Sequence, residues 1–481
     1  NIMTFKILFL KYQYILFIMK YSSKETIFAL STNYAQSAVA IIRVSGNNSK
    51  KIAQTLCKLK NPKNRYANYS NIYDMNFNLI DKGIIIFFKS PESFTGEDIL
   101  EFHIHGSIAI IKKLTKTLQE FPGTRAAMPG EFSKRAFFNG KGSMLYFEGI
   151  NNLINSETET QREISNKQIY GEGANKCDVW KNQILEFLST VDAQIEFSDD
   201  LYGIEGFDMK NKINLTIQDI ENVYKSINNS NNLVHGISIM IVGPSNAGKS
   251  SLFNFMIQED KMIVSNKKGT TTDQTEQITE IRNHKVKIID SAGIRNSNNT
   301  IEKIGVKKSL DNVKMLDKFI LVVSPDSYNN INVKIVEDLV NKIKKKKAVI
   351  IFNKKDLQNS DIKFSKWKKI IDKIKKIKSF SISCRKDVND HKILNKLHKF
   401  IEQNLISIDT KSNDYYFSEL RHKMNLENLI ENLRKAVVNL GEVEICAKYL
   451  RDAINDLDHL YGHFDEEDKL ELIFNKFCIG K

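Results

Sequence analysis

The sequence predicts a multidomain protein of the α/β plus α class: a small N-terminal α/β domain, a discontinuous helical bundle, and an α/β domain inserted into that bundle. Three observations predict this architecture. The chain has 481 residues, too many for one hydrophobic core, so two to four domains are expected. Strand-like and helical runs alternate up to about Phe138. Apolar residues then recur at helical spacing on both sides of a β-rich stretch.

The domain boundaries follow from these changes of pattern. In the N-terminal part, strand-like runs at 38–44 and 83–88 alternate with a helical stretch at 108–118. Neither helical part can bury its apolar face alone, so the two helical parts should pack against each other. The expected domains are 19–140 (N-terminal), 141–233 and 406–481 (helical), and 234–405 (inserted, a parallel sheet flanked by helices).

Residues 1–18 are expected to be upstream translation rather than a functional segment, because the chain begins with Asn and Met19 offers a start. Lys6, Lys11 and Gln13 interrupt this apolar stretch. The uninterrupted apolar length therefore falls well short of the ~18 residues that a membrane span needs. No stable membrane insertion is expected.

The chain is basic, with a formal net charge of +14 and a pI near 9.2, and its lysines concentrate at 342–347 and 366–378. This balance favours a polyanionic partner, most commonly a nucleic acid, although a compositional bias of the genome explains the charge equally well. Five scattered cysteines without a CxxC pair argue against a disulfide framework or a zinc site. They favour a reducing, cytoplasmic compartment.

The inserted domain contains a phosphate-loop motif. Its runs typical of buried parallel strands lie at 237–242, 286–289, 319–323 and 348–352. Directly after the first run, GPSNAGKS at 243–250 fits the pattern GxxxxGK[ST] and precedes a helix at 251–256. The glycines allow a tight turn whose N–H groups point at phosphate oxygens. Lys249 is expected to reach the β- and γ-phosphates, and Ser250 to ligate Mg²⁺.

A second motif selects the base. NKKD at 353–356 follows the fourth run and fits NKxD. The Asp356 carboxylate can accept hydrogen bonds from N1–H and the exocyclic amine of guanine, a pair of donors that adenine lacks. SCR at 383–385 occupies the place of the loop that backs the guanine, with Cys384 where alanine is usual. The expected nucleotide is GTP.

Two intervening segments are expected to sense the γ-phosphate. DSAG at 290–293 matches DxxG, with Asp290 near Mg²⁺ through water, and GTTTD at 269–273 offers Thr271 as a second hydroxyl ligand of Mg²⁺. The GTP contacts expected in all are Asn246, Ala247, Gly248, Lys249, Ser250, Ser251, Ser265, Thr270, Thr271, Asp290, Ser291, Ala292, Gly293, Asn353, Lys354, Asp356, Ser383, Cys384 and Arg385.

The hydrolytic machinery differs from that of Ras-like switches, in which a glutamine after DxxG orients the attacking water. Ile294 stands at that position, and an apolar side chain cannot orient water. Asn246 and the loop 265–270 could cage a monovalent cation beside the phosphates, and Glu302 could hold the water.

These segments together resemble the MnmE (TrmE) family of tRNA-modifying GTPases. The likeness is carried by GPSNAGKSSLFN, MIVSNKKGTTTD, DSAGIR followed by IEKIGV, and the terminal FCIGK. Outside the inserted domain it is carried by AIIRVSG (40–46), SFTGEDILEFHIHG (93–106) and PGEFSKRAFFNGK (129–141). It extends from about Thr26 to Lys481, essentially the whole chain.

The resemblance implies more than composition can show. Members of the family hydrolyse GTP when K⁺ pairs their GTPase domains, dimerise through the N-terminal domain, and form a heterotetramer with the flavoprotein MnmG, which carries FAD. Together the two proteins install a carboxymethylaminomethyl or aminomethyl group at C5 of the tRNA wobble uridine. The one-carbon unit comes from 5,10-methylenetetrahydrofolate, for which 5-formyltetrahydrofolate is an analogue, bound in the N-terminal domain.

The family's functional residues can be carried over where the motifs match. Folate would be held by Arg43, Glu101, Lys141 and Lys481; K⁺ by Asn246, Ser265, the Lys267 carbonyl and Thr270; and Mg²⁺ by Ser250 and Thr271. Glu302 matches the water-positioning, catalytic glutamate.

Some positions depart from the family pattern. Thr272 replaces the arginine of GTTRD, and Ser265 replaces threonine but keeps the hydroxyl. In the N-terminal part, NYAQSA (33–38) replaces a glycine-rich loop, and KGSMLYFEG (141–149) is a poor match where helix formers are expected. Folate binding therefore rests on fewer matching residues than GTP binding.

The remaining histidine, arginine and cysteine positions of interest can be explained without a catalytic role. His103 and His105 alternate on an expected strand and are read as structural. Arg421-His422 opens a helix and is expected on its solvated face. Cys478 is either a buried small hydrophobe or a thiol acting near the folate site.

Two other functions are compatible with a nucleotide-binding domain in a helical protein. The main alternative is a ribosome-assembly GTPase of the Era or Der type, which would need a KH-like RNA domain or a second phosphate loop, and the sequence shows neither. A helical scaffold with a degenerate nucleotide domain is the third, and it would bind GTP with little turnover.

Overall fold

The computed structural model describes residues 25–171, 173–196, 206–257, 276–290, 316–387, 390–406, 417–462, 470, 473–475, 477 and 480. The expectation for residues 1–18 lies outside this set. The chain divides into two compact units. The limits of the first are Asn1–Asn151, Ala174–Ile217 and Asn425–Lys481, and those of the second are Asn152–Gly173 and Gln218–Met424.

The first unit contains a six-stranded sheet. Its strands are β1 (Thr26–Leu30), β2 (Ser37–Ser45), β3 (Ala67–Tyr73), β4 (Leu79–Phe88), β5 (Ile99–Gly106) and β6 (Thr124–Ala126). They are ordered β3-β4-β5-β2-β1-β6, and all neighbours are antiparallel except the parallel pair β1 and β6. The strand-like runs at 38–44 and 83–88 are confirmed as parts of β2 and β4.

Alternation along these strands decides which side chains are buried. Ile42, Val44 and Phe102 belong to a core that also includes the apolar faces of α1 (Ser49–Cys57) and α2 (Ile108–Glu120). Successive side chains of a strand point to opposite faces. Arg43 and Glu101 therefore lie on the other face of the sheet, outside this core.

Between residues 141 and 233 the described part of the chain is mostly helical, as expected. The next helices are α3 (Glu131–Phe138), α4 (Met144–Ile154), α5 (Glu159–Tyr170), α6 (Gly173–Glu196) and α7 (Gly206–His235). Helix α4 forms where the sequence matched the family poorly. Burial explains it, because Met144 and Phe147 pack in one apolar cluster with Phe137 and Phe474.

The second unit contains a second six-stranded sheet. Its strands are β7 (Ile237–Val242), β8 (Glu276–Ile281), β9 (His284–Asp290), β10 (Lys318–Val323), β11 (Lys347–Phe352) and β12 (Ser379–Ser381), in the order β12-β11-β10-β7-β9-β8. The four predicted strands are parallel neighbours, as expected. The sheet is not wholly parallel, however, because β8 pairs antiparallel with β9. Arg282 and Asn283, with φ of 48° and 66°, form the hairpin turn that reverses the chain.

Helices cover both faces of this sheet. They are α8 (Lys249–Ile257), α9 (Asn330–Lys342), α10 (Ser360–Ile374) and α11 (His391–Ile401), the last continuing as a π-turn at Glu402–Ile406. Helices α8 and α11 share one apolar cluster with β7, β9, β10 and β11, while α9 and α10 share the cluster on the opposite face. Burial on both faces explains why the central strands read as continuous apolar runs.

The final helices are α12 (Leu420–Val438) and α13 (Val443–Tyr461). Within the first unit, α13 contacts α6: Arg451 pairs with Asp192 at 2.6 Å, and the Tyr461 hydroxyl donates to the Ala174 carbonyl at 3.0 Å. The expectation that the two helical parts meet is therefore confirmed. In the described part of the chain, no helix is long and apolar enough to span a membrane.

The expectation that His422 lies on a solvated helical face is wrong, since the residue is only 1% exposed. Its Nδ1 accepts a hydrogen bond from the Glu419 N–H at 3.1 Å, and its ring contacts Phe417 edge-on. The imidazole satisfies a backbone donor at the start of α12, where intrahelical acceptors are lacking. This local capping role accounts for its burial.

Candidate functional site

The phosphate loop lies where the strand order of the second sheet reverses. Strand β7 has β10 on one side and β9 on the other, so the loop leaving its carboxyl end opens at the crevice where such sheets bind ligands. Gly243 begins this loop with φ of 152°. A Cβ there would lie 2.2 Å from the Val322 carbonyl oxygen, so the close approach of β10 requires glycine.

Lys249 and Ser250 begin α8 beside the end of β9. The Lys249 ammonium donates to the Pro244 carbonyl at 2.9 Å, across the loop. The Ser250 hydroxyl donates to the Asp290 carboxylate at 2.8 Å, and Asp290 is buried. A hydroxyl and a carboxylate in contact offer the hard oxygen ligands that Mg²⁺ prefers, so this pair fits the predicted ion.

Asn353 joins the base-recognition segment to the phosphate loop. Its buried side-chain amide donates to the Ala247 and Gly248 carbonyls at 3.3 and 3.4 Å. Its Oδ1 accepts from the Cys384 N–H at 3.2 Å. One side chain thus connects the loops that follow β7, β11 and β12. The three motifs predicted from separate stretches of sequence are thereby brought to one place.

Lys354 makes a second connection to the phosphate loop. Its backbone has a φ of 60°, and its ammonium donates to the Asn246 carbonyl at 2.8 Å and to the Asp326 carboxylate at 2.6 Å. Burial tends to raise the pKa of Asp326, but hydrogen bonds from Lys354 and Ser324 and the Lys354 charge lower it below its ordinary value. The carboxylate therefore holds Lys354 in place.

The sequence interpretation missed Ser324 and Asp326. Both follow β10 directly, and the Ser324 hydroxyl donates to the Asp326 carboxylate at 2.6 Å. A polar turn at the carboxyl end of a buried parallel strand was the available signal, because such ends meet at one edge of the sheet.

Asp356 is exposed and ready to accept hydrogen bonds. The Ser383 hydroxyl donates to its Oδ1 at 2.6 Å. This bond, helped by the charges of Lys386 and Arg385, lowers the pKa of Asp356 despite the opposing effect of partial burial. The carboxylate is therefore ionised at neutral pH, as recognition of two N–H donors requires.

Cys384 lies buried in the loop predicted to back the guanine. Burial, together with the nearby Asp387 charge, raises the pKa of its thiol to about 12, so it stays protonated. The predicted residues Ser265, Lys267, Thr270, Thr271, Ser291, Ala292, Gly293 and Glu302 lie outside the described residues.

A second group of predicted residues lies on the outer face of the first sheet. The Arg43 guanidinium donates from Nε to Glu101 at 2.9 Å and from Nη1 to the Gly480 carbonyl at 3.1 Å. The Ser31 hydroxyl donates to the same carbonyl at 3.0 Å. Gly480 is thereby held against Arg43. The predicted folate contacts Arg43 and Glu101 therefore lie beside the C-terminal segment.

The ionisation of Glu101 is set by its neighbours. Burial tends to raise its pKa, but hydrogen bonds and charges from His103 and Arg43 lower it below the ordinary value. His103 Nε2 lies 3.2 Å from the Glu101 carboxylate, while His105 Nδ1 lies 2.9 Å from Asp81. Each histidine thus has a carboxylate partner, in keeping with a structural role.

Lys141 is the other described member of the predicted folate contacts. It is exposed just after α3, where its N–H donates to the Ala136 carbonyl at 2.9 Å. Within the described residues, its ammonium forms no ion pair with Glu101. Lys481 and Cys478 lie outside the described residues.

A network of ion pairs joins the motifs SFTGED and PGEFSKRAF. The sequence did not predict these pairs. The buried Arg135 pairs with Glu97 at 3.1 Å and with Glu131 at 3.0 Å, and Glu131 also pairs with Arg125 at 2.7 Å. Ser45 donates to Glu97 at 2.8 Å. These contacts hold the segments around Arg43 in a fixed arrangement.

Comparisons with known proteins cover most of the chain. The family model described as "GTP-binding protein TrmE N-terminus" matches residues 26–141, and that described as "MnmE helical domain" matches residues 145–478. The "tRNA modification GTPase MnmE" of Pelagibacter ubique is 36% identical over 464 residues, covering 95% of this chain and 100% of that protein.

Two further relatives agree. The protein of the same description from Aliarcobacter butzleri is 31% identical over 460 residues, which is 95% of this chain and 99% of the relative. The one from Aquifex aeolicus is 32% identical over 466 residues, which is 95% of this chain and 100% of the relative. These matches favour the resemblance drawn from the motifs over the ribosome-assembly alternative.

Proposed function

This chain belongs to the MnmE family of tRNA modification GTPases, and from that membership we propose that it hydrolyses GTP in a K⁺-dependent way and acts with MnmG on tRNA. The proposed product carries a carboxymethylaminomethyl or aminomethyl group at C5 of the wobble uridine. Among the described residues, Cys57, Cys177, Cys384 and Cys446 form no disulfide, which suits the reducing cytoplasm proposed for the reaction.

The observation that carries the GTP proposal is the joining of three loops by Asn353. Because its amide contacts the Ala247 carbonyl at 3.3 Å, the phosphate loop and the base-recognition loop form one site. The ionised Asp356 then selects guanine by accepting hydrogen bonds from N1–H and the exocyclic amine of the base. Lys249 exchanges its Pro244 contact for phosphate oxygens when the nucleotide binds, and the start of α8 adds its positive end.

Hydrolysis requires groups that balance the growing charge and orient water. Ser250 and Asp290 hold the Mg²⁺ position, with Thr271 proposed as the second hydroxyl ligand. Asn246, Ser265, the Lys267 carbonyl and Thr270 are proposed to hold K⁺, which supplies positive charge beside the phosphates. Glu302 is proposed as the residue that orients the attacking water, since Ile294 cannot.

The folate proposal rests on the Arg43 group. Arg43, Glu101, Lys141 and Lys481 are the proposed contacts for the one-carbon carrier, whose bound form supplies a methylene unit. The contact of Arg43 with Gly480 supports this, because it holds the residue before Lys481 beside a cation and a carboxylate. A homodimer and a heterotetramer with MnmG, which brings FAD, complete the proposal.

The decisive experiment compares GTP turnover in KCl and in NaCl for the wild-type chain and two variants. We expect at least ~10-fold faster turnover in KCl. Glu302→Ala should abolish most turnover in both salts while leaving GTP affinity unchanged. Asn246→Gly, which keeps the positive φ of 62°, should remove the preference for K⁺.

A matched control is Glu163→Ala, which alters an exposed glutamate on α5. It should turn over GTP like the wild type in both salts. Equal wild-type rates in KCl and NaCl, unaffected by Glu302→Ala, would remove the proposed mechanism.

A further inference from the structure

The amino ends of three strands of the second sheet carry a dense group of lysines. We define the lysine edge as residues 317–318, 342–347 and 372–378, which lead into β10, β11 and β12. It contains ten lysines and two carboxylates, Asp317 and Asp372.

Two of these lysines have structural partners. Lys346 donates to the Leu316 carbonyl and lies 3.9 Å from the Asp317 carboxylate. Lys375 donates to the carbonyls of Ile343 and Lys346. Helices α9 and α10 end at this edge, so their negative ends favour cations here. Backbone carbonyls therefore account for these two positions.

Seven further lysines of this edge are exposed, and no such contact with a backbone carbonyl explains their position. They are Lys342, Lys344, Lys345, Lys347, Lys373, Lys376 and Lys378. Elsewhere in the chain lysines such as Lys113 and Lys435 pair with carboxylates, at 2.7 Å in both cases. Within the described residues, none of the seven forms an ion pair. Seven positive charges thus face solvent on one edge.

This arrangement works against the folded state. Lys318 and Lys347 are direct neighbours in the parallel pairing of β10 and β11. Burial and the Lys347 charge lower the pKa of Lys318 below its ordinary value. Like charges held together repel, and the repulsion is relieved when a polyanion supplies the opposite charge.

We propose that the lysine edge is a docking surface for the phosphate backbone of RNA and, resting on the proposed function, that this RNA is tRNA. Ammonium groups on flexible stems contact phosphates as point charges and read no sequence. The positive charges of the seven unpaired lysines are complementary to the negative charges of a row of phosphates. The edge therefore binds the backbone and leaves recognition of the target base to other residues.

The position of the edge suits this role. The residues proposed to bind the nucleotide follow the carboxyl ends of β7, β11 and β12. The lysine edge lies at the opposite, amino ends of β10, β11 and β12. Strand β11 spans six residues, Lys347–Phe352, or about 16 Å between first and last Cα. RNA can thus bind at one end of the sheet while GTP binds at the other.

The test measures the affinity of the full-length chain for unmodified bulk tRNA between 50 and 200 mM KCl. The variant carries Lys344→Gln, Lys345→Gln, Lys376→Gln and Lys378→Gln. The control removes the same charge from α1 and α2 through Lys50→Gln, Lys51→Gln, Lys112→Gln and Lys116→Gln. Both sets are exposed side chains, and thermal unfolding checks that each variant is folded.

We expect the edge variant to lower the slope of log affinity against log salt by about 3, and to bind tRNA at least ~10-fold more weakly at 150 mM salt. The control should change the slope by less than about 1. Equal slopes and affinities for wild type and edge variant would overturn the inference. So would an edge variant that loses binding to phosphatidylglycerol vesicles while keeping its tRNA affinity.

GTP turnover separates this inference from the proposed function. The edge variant should hydrolyse GTP at the wild-type rate with the same K⁺ dependence. If the wild type shows K⁺-dependent turnover and the edge variant binds tRNA normally, only the docking surface is wrong. If the wild type shows no such turnover, the proposed function fails whatever the tRNA affinities are.

Discussion

A Cβ placed on Gly248 would lie 2.1 Å from the side-chain nitrogen of Asn353. The phosphate loop and the base-recognition segment therefore approach so closely that only glycine fits between them. Gly248 also has a φ of 89°, a conformation that other L-residues rarely adopt. The two predicted nucleotide-binding segments are thus in direct contact at this point.

Gly248→Ala should damage both the fold and the site. We expect a loss of about 1–3 kcal/mol in the free energy of unfolding, because alanine meets both an unfavourable φ and the Asn353 amide. GTP affinity should fall at least ~10-fold. Urea unfolding and titration with a fluorescent GDP analogue measure the two effects.

The matched control is Gly441→Ala. A Cβ there meets nothing within 4 Å, so stability and affinity should stay within about 0.5 kcal/mol of wild type. Similar losses in both variants would show that the Asn353 contact is not the cause.

Asp356→Asn should change the base that is recognised. An amide cannot accept both N–H bonds of guanine, so GTP affinity should fall by at least ~100-fold. Xanthosine triphosphate has a carbonyl in place of the guanine amine and should be bound in preference. Competition between the two nucleotides measures the change. The control Asp361→Asn, at the exposed start of α10, should keep the preference for GTP.

Arg43→Gln should weaken folate binding. The change removes charge-assisted hydrogen bonds to Glu101 and Gly480 at 2.9 and 3.1 Å. Affinity for 5-formyltetrahydrofolate, followed by fluorescence quenching, should drop at least ~10-fold, equivalent to about 1.4 kcal/mol. Arg162→Gln, on the exposed face of α5, should bind as the wild type does. An unchanged affinity for Arg43→Gln would remove this residue from the proposed site.

Asp456→Asn should stabilise the protein at neutral pH. Burial, with the Asp452 charge, raises the pKa of Asp456 to about 6, although the Asn432 hydrogen bond opposes the shift. The folded state therefore holds the proton more tightly than the unfolded state. Ionisation costs stability as the pH rises from about 4 through 6, and the full cost is present above that.

The gain for Asp456→Asn should reach about 1–2 kcal/mol at pH 7.5, after discounting for solvent screening, and vanish near pH 4. Chemical unfolding at several pH values measures it. Glu427→Gln on the exposed face of α12 is the control, for which no such pH-dependent gain is expected. A gain that is independent of pH would show that the Asp456 carboxyl is not the titrating group.

Secondary structure followed closely from sequence where burial is complete. The runs at 237–242 and 319–323 lie within one residue of β7 and β10, because strands buried on both faces are continuously apolar. Strands β8 and β12 were missed. Both lie at the edges of the sheet, and the sequences EQITEI and SFS mix polar with apolar residues, so neither gives that signal.

The sequence by itself determined the class of nucleotide and the central strands of the second sheet. The phosphate loop and NKxD are short contiguous patterns, and their chemistry follows from residue types and backbone requirements alone. Only the tertiary structure decided how these patterns work together. Asn353 meets Gly248 across 105 positions, and Arg43 meets Gly480 across 437. Contacts between distant residues depend on how the whole sheet is ordered, and no local pattern encodes them.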